Sequence, residues 1–358
     1  MSGVNVMGGE TNIVFFGPDI GDVVNSGGQE VVVGPGYGYT YGHSNAYGTT
    51  YGTVVNSGGQ ESVQGGVIIG TLVNDVGQEF VSGGSAIGTV VNGEQYVYGG
   101  NFVGVGSVDG LATSTTVNSG GEQYVYDYAT ANDTVVNRGG NEYLFDYATA
   151  SGTVVNGAQY VYDYATASNT VLNGGGTLFA NGGTVDVAEA IKGGSILIGN
   201  GMVDVQQASA DNVTFQLGGR GGLTLFNAKG YTGKVSGFGD NGNQFIDFTA
   251  IGSAGATFSY TSTSAITGVL TVISGGTSAN IDLSGHYSSA NFHIRSGIGG
   301  SVEIFDPPVA LSPPTVSADL ALFVNYLAAC LPSIAHHGGF MTNLSQPAGE
   351  QVLTHPGS

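Results

Sequence analysis

The sequence predicts an all-β protein: a β-solenoid, expected as a right-handed parallel β-helix with rungs of about 18 to 19 residues, a β-rich C-terminal cap and a short helical tail. Three observations carry this reading. A Val-Val-Asn-like triplet recurs with its asparagine at Asn25, Asn56, Asn74, Asn92, Asn118, Asn137, Asn156 and Asn173, at spacings of 31, 18, 18, 26, 19, 19 and 17 residues. Glycine supplies 65 of the 358 residues, well above its usual ~7 % share, as a chain that turns every few residues requires. Apolar residues reach 41 % and include 19 Tyr and 16 Phe, so a core is available and a disordered chain is excluded.

Residues 1–20 precede the repeat and read as an N-terminal segment or cap. The repeat region is expected over 21–230. Its clearest units run Gly52-Thr-Val-Val-Asn-Ser-Gly-Gly-Gln-Glu61, Gly88-Thr-Val-Val-Asn-Gly-Glu-Gln-Tyr-Val-Tyr98, Asp133 to Tyr143 and Gly152 to Tyr162. Thr-Val-Val is β-branched and suits a strand; Asn-Ser-Gly-Gly supplies the positive-φ positions of a turn; Gln-Tyr-Val-Tyr suits a second strand. Ala-Thr-Ala-Ser then leads to the next Gly-Thr. Alternation places Val125, Leu144 and Val161 inside with their tyrosine neighbours outside. At about 4.8 Å per rung, eight rungs give a column of roughly 38 Å. The two long spacings are insertions, Gly34 to Tyr47 and the milder Asn101 to Ser114, expected to leave one side of the column.

From Gly174 the strict repeat gives way to shorter strands such as Ser195 to Ile198 and Met202 to Val205, read as imperfect rungs up to about Gly230. Residues 231–308 alternate as strands, including Ala256 to Tyr260, Val269 to Ile273 and Ala279 to Leu283, and would cover the open end of the stack. Residues 309–358 comprise a Pro-rich linker, a helix over Ala318 to Leu331 with Ser317 as N-cap, and a flexible tail.

The charge balance narrows function. Six basic against 26 acidic residues leave a formal net charge of -20, which excludes ordinary nucleic-acid binding and opposes contact with anionic lipid. Cys330 is the single cysteine, so no intramolecular disulfide forms. No apolar run approaches the ~20 residues of a transmembrane helix. The first twenty residues hold no Lys or Arg, and their longest apolar run is Ile13 to Phe16, so no cleavable signal is expected.

The units Gly-Thr-Val-Val-Asn-Ser-Gly-Gly, Gln-Tyr-Val-Tyr and Ala-Thr-Ala-Ser, over about residues 21–185, resemble the AIDA-type repeats of bacterial autotransporter adhesins. The resemblance implies a β-helical passenger displayed outside the cell. It also implies that repeat threonines, here Thr53, Thr89, Thr134, Thr153 and Thr170, serve as acceptors of O-linked sugar. The second half, with Val235-Ser-Gly-Phe-Gly, Ile246-Asp-Phe-Thr-Ala-Ile, Gly268-Val-Leu-Thr-Val and Asp306-Pro-Pro, resembles a C-terminal module of secreted alphaproteobacterial repeat proteins. Such proteins commonly leave the cell by an uncleaved C-terminal signal.

Candidate site residues follow from the period. Asp127, Asp146 and Asp163 each open Asp-Tyr-Ala-Thr-Ala and stack at one corner, which makes them weak candidates for a Ca²⁺ site beside a simpler reading as solvated turn residues. Tyr96, Tyr124, Tyr143 and Tyr160 form one aromatic column, and Tyr98, Tyr126, Phe145 and Tyr162 another; the first is the candidate contact surface. No catalytic residue and no cofactor are expected. A polysaccharide-active β-helix enzyme needs paired carboxylates with basic residues on one face, and here Arg138, Lys192, Arg220, Lys229, Lys234 and Arg295 are scattered singly. His43 and the His336-His337 pair sit in no motif, nor does Cys330.

The expected function is therefore that of a secreted or cell-surface adhesin-like repeat protein, extracellular or on the bacterial surface. Its partner would be a host-cell or matrix surface, glycan or protein, with self-association as a further expectation. The alternatives are a non-binding structural spacer and a polysaccharide-active enzyme. If the export signal is C-terminal, deleting the residues after about 309 will retain the protein inside its native cell; normal secretion of the truncated chain, followed in culture medium, refutes that placement.

Overall fold

The computed structural model describes residues 3–15, 17–34, 47–99, 101–102, 106–107, 109–190, 193–239 and 242–306. Residues 310–358 are a separate unit and lie outside the described residues, as do the expected helix, Cys330, the His336-His337 pair, and His43 of the first insertion.

The described chain winds as a parallel β-solenoid of about 11 turns with a spacing of ~19 residues. One turn shows why. In Thr134-Val-Val136 the threonine and the second valine point inward while Val135 is half-exposed. Asn137-Arg-Gly-Gly140 then turns the chain, with Gly139 at φ 82°. A Cβ on Gly140 would lie 2.7 Å from the carbonyl oxygens of Val117 and Asn118 in the preceding turn, so only glycine lets adjacent rungs pack this closely. The next strand, Asn141–Leu144, alternates half-exposed and buried side chains, with Leu144 fully buried. Ala148-Thr-Ala-Ser151 is more than a connector: Thr149–Ser151 is a third strand, paired in register with Thr130–Asn132 and Thr166–Ser168. Its alanines are buried, and their small volume brings this arm against the valines of the other two.

The pairing is one-to-one over successive turns. Val97, Val125, Leu144 and Val161 stack in register and are all fully buried, while the tyrosines beside them face out. Toward the N-terminus, Asn5–Val6, Thr11–Val14 and Gly17–Ile20 already pair in parallel with Val23–Val24, Gln29–Val33 and Gly48–Tyr51. Residues 5–20 thus extend the stack itself. The first insertion leaves after Val33 and the second after Tyr98, at the same corner of the solenoid. In the second, Asn101–Phe102 and Gly106–Ser107 pair as an antiparallel hairpin.

At the C-terminal end the parallel ladder reaches Lys234–Ser236 and Phe245–Gly252, and antiparallel pairing takes over. Thr257–Ser264, Thr267–Ser274 and Thr277–Ser284 form a meander, the last of them paired in parallel with Lys234–Ser236. Ser301–Phe305 runs antiparallel to both Phe245–Gly252 and His293–Ser296. Phe215, Phe238, Phe258, Tyr260, Tyr287 and Phe292 pack as a ring cluster against these strands. Arg295 pairs with Glu303 and lies 4.9 Å from the Phe305 ring centroid.

The interior carries a polar column as well. Glu30, Glu61, Glu79, Gln95, Gln123, Glu142 and Gln159 stack in register, each with no exposed surface. Threonines of the facing arm donate to them: Thr53 to Glu30 at 3.2 Å, Thr134 to Gln123 at 3.1 Å and Thr170 to Gln159 at 3.4 Å. This corrects the expectation that Thr53, Thr89, Thr134, Thr153 and Thr170 accept sugar. All five are at most 1 % exposed, because the first residue of Thr-Val-Val faces the core, and in the folded solenoid no transferase reaches them.

Burial pushes the Glu142 carboxyl up to about 7, against the hydrogen bond from Gln159 that holds it down. Its neighbours above and below, Gln123 and Gln159, are neutral, as are Thr134 and Thr153 on the facing arm. In the unfolded chain the same carboxyl titrates near ~4.3. The folded state therefore holds the proton more tightly, and stability is full below about pH 4.5, falls as pH rises and levels off above about 7. Glu142→Gln should leave the thermal midpoint nearly unchanged at pH 5 and raise stability at pH 8 by on the order of 3 kcal/mol. Equal stability of the variant and the wild type at pH 8 would contradict a protonated interior.

Candidate contact face

The outer face of the five-residue strands is an aromatic wall. Phe80, Tyr96, Tyr124, Tyr143 and Tyr160 occupy one column, with successive ring centroids 5.1, 5.0, 4.9 and 4.8 Å apart and planes within 11° of parallel. Beside it Tyr98, Tyr126, Phe145 and Tyr162 stack at 5.4, 5.1 and 5.0 Å. The two columns stand about one ring apart, Tyr124 and Tyr126 at 6.1 Å. The stacking follows directly from the register, because the rung spacing is close to the preferred offset distance of two rings. Phe179 ends the wall by turning edge-on to Tyr160 and Tyr162.

Burial raises the phenols of Tyr96, Tyr98, Tyr124, Tyr126, Tyr143 and Tyr162 in this wall. Burial among the rings pushes the Tyr143 hydroxyl up to about 12. Burial likewise raises Tyr124, helped by the hydrogen bond it donates to Glu122 at 2.5 Å; Tyr96 donates to Glu94 at 2.8 Å. The face thus offers flat apolar area, fixed acceptors and no cation.

A third column was not legible in the repeat. Tyr128, Tyr147 and Tyr164 stack at 5.1 and 5.3 Å and are 59 %, 48 % and 71 % exposed. Each follows the aspartate of a tight turn, and both residues have positive φ: 52° and 68° at Asp127-Tyr128, 50° and 65° at Asp146-Tyr147, 43° and 66° at Asp163-Tyr164. The turns close by Ala129, Ala148 and Ala165 amides donating to Tyr126, Phe145 and Tyr162 carbonyls. This is the double left-handed geometry of a hairpin-type turn, in which glycine is favoured at the second position and a bulky side chain is strained. Other turns place Gly65, Gly83 and Gly182 at this corner. The only signal in the sequence was the tyrosine following each aspartate.

Asp127, Asp146 and Asp163 are exposed at these turns and do not gather into a ligand cluster. Among the described residues, the carboxyls that gather are those of Asp19, Asp22 and Glu30, whose oxygens lie within 4.8 Å of one another inside the first turns.

An in-register parallel solenoid with ladders of like residues defines the structural class. Residues 107–159 match the family model described as adhesin of bacterial autotransporter system, probable stalk. Over those residues the repeat is similar to the AIDA-type adhesin stalk. Among solved structures, the TibC-catalyzed hyper-glycosylated TibA55-350 fragment is 27 % identical, the match covering 66 % of this chain and 87 % of that one with a TM-score of 0.43. No curated protein matches the sequence.

Replacing Tyr164, the end ring that stacks on Tyr147 alone in this column, by Gly relieves a left-handed non-glycine residue, about 1–2 kcal/mol, and forfeits one ring stack of about 0.5–1.5 kcal/mol. The net change in unfolding free energy by urea titration should stay within about 1 kcal/mol of zero. A loss above 2 kcal/mol would show that this column is retained for stability.

Proposed function

We propose that the chain is an adhesin-like repeat protein, outside the cell or on its surface, whose aromatic wall is the contact face. The observation that carries this reading is the third column. Tyr128, Tyr147 and Tyr164 accept backbone strain at a corner where neighbouring turns use glycine, and they remain exposed beside the two stacked columns. Stability does not explain an exposed bulky side chain at positive φ; a contact surface does. Rigid aromatic area with adjacent carboxylates suits a host-cell or matrix ligand, glycan or protein: rings pack on apolar faces, and Asp127, Asp146 and Asp163 accept hydrogen bonds from hydroxyls. Self-association through the same wall belongs to this reading.

The family description, a probable stalk, favours a second reading, in which the solenoid only spaces another element from the surface. An enzyme is the third, and we take the chain to be without catalytic activity. A glycan array combined with a reducing-sugar release assay separates the three. Replacing Tyr124, Tyr143 and Tyr160 together by Thr keeps strand propensity and removes the flat area. Stability should fall by only about 0.2 to 1 kcal/mol per cross-strand pair, while attachment to cells or glycans should be lost. Unchanged attachment by a folded triple variant would leave the wall structural and favour the stalk.

A further inference from the structure

The three aromatic columns differ in what lies beside each ring. In the wall every ring has neighbours along the strand as well as above and below: Tyr124 lies 5.0 Å from Tyr96, 4.9 Å from Tyr143 and 6.1 Å from Tyr126. Its hydroxyl is also tied to Glu122, and that of Tyr96 to Glu94. In the third column, among the described residues, Tyr128, Tyr147 and Tyr164 touch only one another's rings, at 5.1 and 5.3 Å with planes 4° and 11° apart. The register that brings them together is set by the backbone: the Tyr128 amide donates to the Asp146 carbonyl and the Tyr147 amide to the Asp163 carbonyl, both at 3.3 Å. These rings are therefore held in sequence by their turns and are free at their sides, with about half or more of each residue exposed.

A separate observation concerns residue type. The wall accepts phenylalanine, at Phe80, Phe145 and Phe179, because stacking there needs only a ring. All three positions of the third column carry a phenol, although each sits at a positive φ where a bulky side chain is strained. The chain has no Trp and one Cys, the side chains that compete most readily with tyrosine for a one-electron oxidant. With one Cys it also forms no intramolecular disulfide.

We propose that Tyr128, Tyr147 and Tyr164 are a site of oxidative cross-linking, at which a one-electron oxidant, such as a haem peroxidase acting with hydrogen peroxide, joins adjacent turns through a carbon–carbon bond between tyrosine rings. Each of two phenols gives up one electron and its proton and becomes a phenoxyl radical. The two radicals combine at ring carbons ortho to the oxygens. The hydrogen on each joined carbon then leaves as a proton and one returns to each oxygen, so both phenols are restored. The peroxide takes up the two electrons and the two phenolic protons and ends as two waters. The new bond lies in the plane of each ring, so stacked rings must turn edge to edge. The third column leaves room for that turn, whereas the wall boxes its rings in. The link would staple one turn to the next and restrain the unfolded chain as a disulfide does. None of this requires that the column touch a ligand.

The test uses the full chain with no ligand present, dilute enough that chains rarely meet, treated with a haem peroxidase and hydrogen peroxide. Dityrosine fluorescence should appear in a chain that stays monomeric on a denaturing gel. Peptide mass spectrometry should find Tyr147 joined to Tyr128 or to Tyr164, each pair lighter by two hydrogen atoms, and the linked chain should unfold more slowly in urea. Tyr147→Phe keeps the ring stack and removes the phenol common to both pairs, so it should lose both joined peptides; Tyr143→Phe, in the wall, should give the wild-type yield. The proposal is overturned if the monomer gains no dityrosine, if the links map to the wall or form only between chains, if the Tyr147→Phe chain gives the same yield as wild type, or if the linked chain unfolds at the unmodified rate. Because no ligand enters the assay, its outcome is independent of whether the aromatic face binds one.

Discussion

The repeat region depends on one constraint: in-register parallel pairing puts each residue directly above its counterpart one turn earlier, about 4.8 Å away. Like therefore sits on like. For Asn, whose amide both donates and accepts, this yields a ladder: Asn56 donates to Asn25, Asn74 to Asn56 and Asn137 to Asn118, at 2.9–3.0 Å. For tyrosine it yields stacked rings. Both ladders make the side chains reinforce the backbone pairing that positions them.

For a carboxyl the same constraint is unfavourable, and the polar column shows how the chain meets it. Where Glu stacks on Gln, the amide donates across the rung, as Gln159 does to Glu142 at 2.7 Å. Where Glu30, Glu61 and Glu79 stack on one another, burial and mutual repulsion push Glu30 up to about 9 and Glu61 up to about 8. The run of three acids occupies the turns next to Asp19 and Asp22. Carboxyl groups that the repeat spreads elsewhere are concentrated in these turns.

The solenoid also separates rigidity from variation. Its inner valines and alanines and its glycine turns are fixed by close approach between rungs, so change concentrates at one corner. Both insertions leave there, and the strained Asp-Tyr turns lie there too. The aromatic wall borders this corner, so exposed rings, turn carboxylates and insertions share one edge along the column. Such an arrangement gives the solenoid a repetitive exposed strip without disturbing its core.

How much was legible follows from how local each signal is. The period and the alternation within Gln-Tyr-Val-Tyr were enough to place Val125, Leu144 and Val161 inside and to align Tyr96, Tyr124, Tyr143 and Tyr160, because period-2 geometry and one-to-one stacking need no knowledge of the cross-section. The direction of Thr-Val-Val did depend on that cross-section: the two-residue strand Val54–Val55 is too short for a pattern, and the angle at its corner turns Thr53 inward to Glu30. The third strand of each turn was hidden for a similar reason, since Ala-Thr-Ala-Ser has weak strand propensity and is held by pairing with its neighbours above and below. Asp19, Asp22 and Glu30 meet only when one rung closes on itself and the next turn seals it. The sequence by itself determined the repeat, the column and the outward rings; the tertiary structure alone decided which polar side chains left water, because burial is set by the closed cross-section and not by any residue's neighbours in the chain.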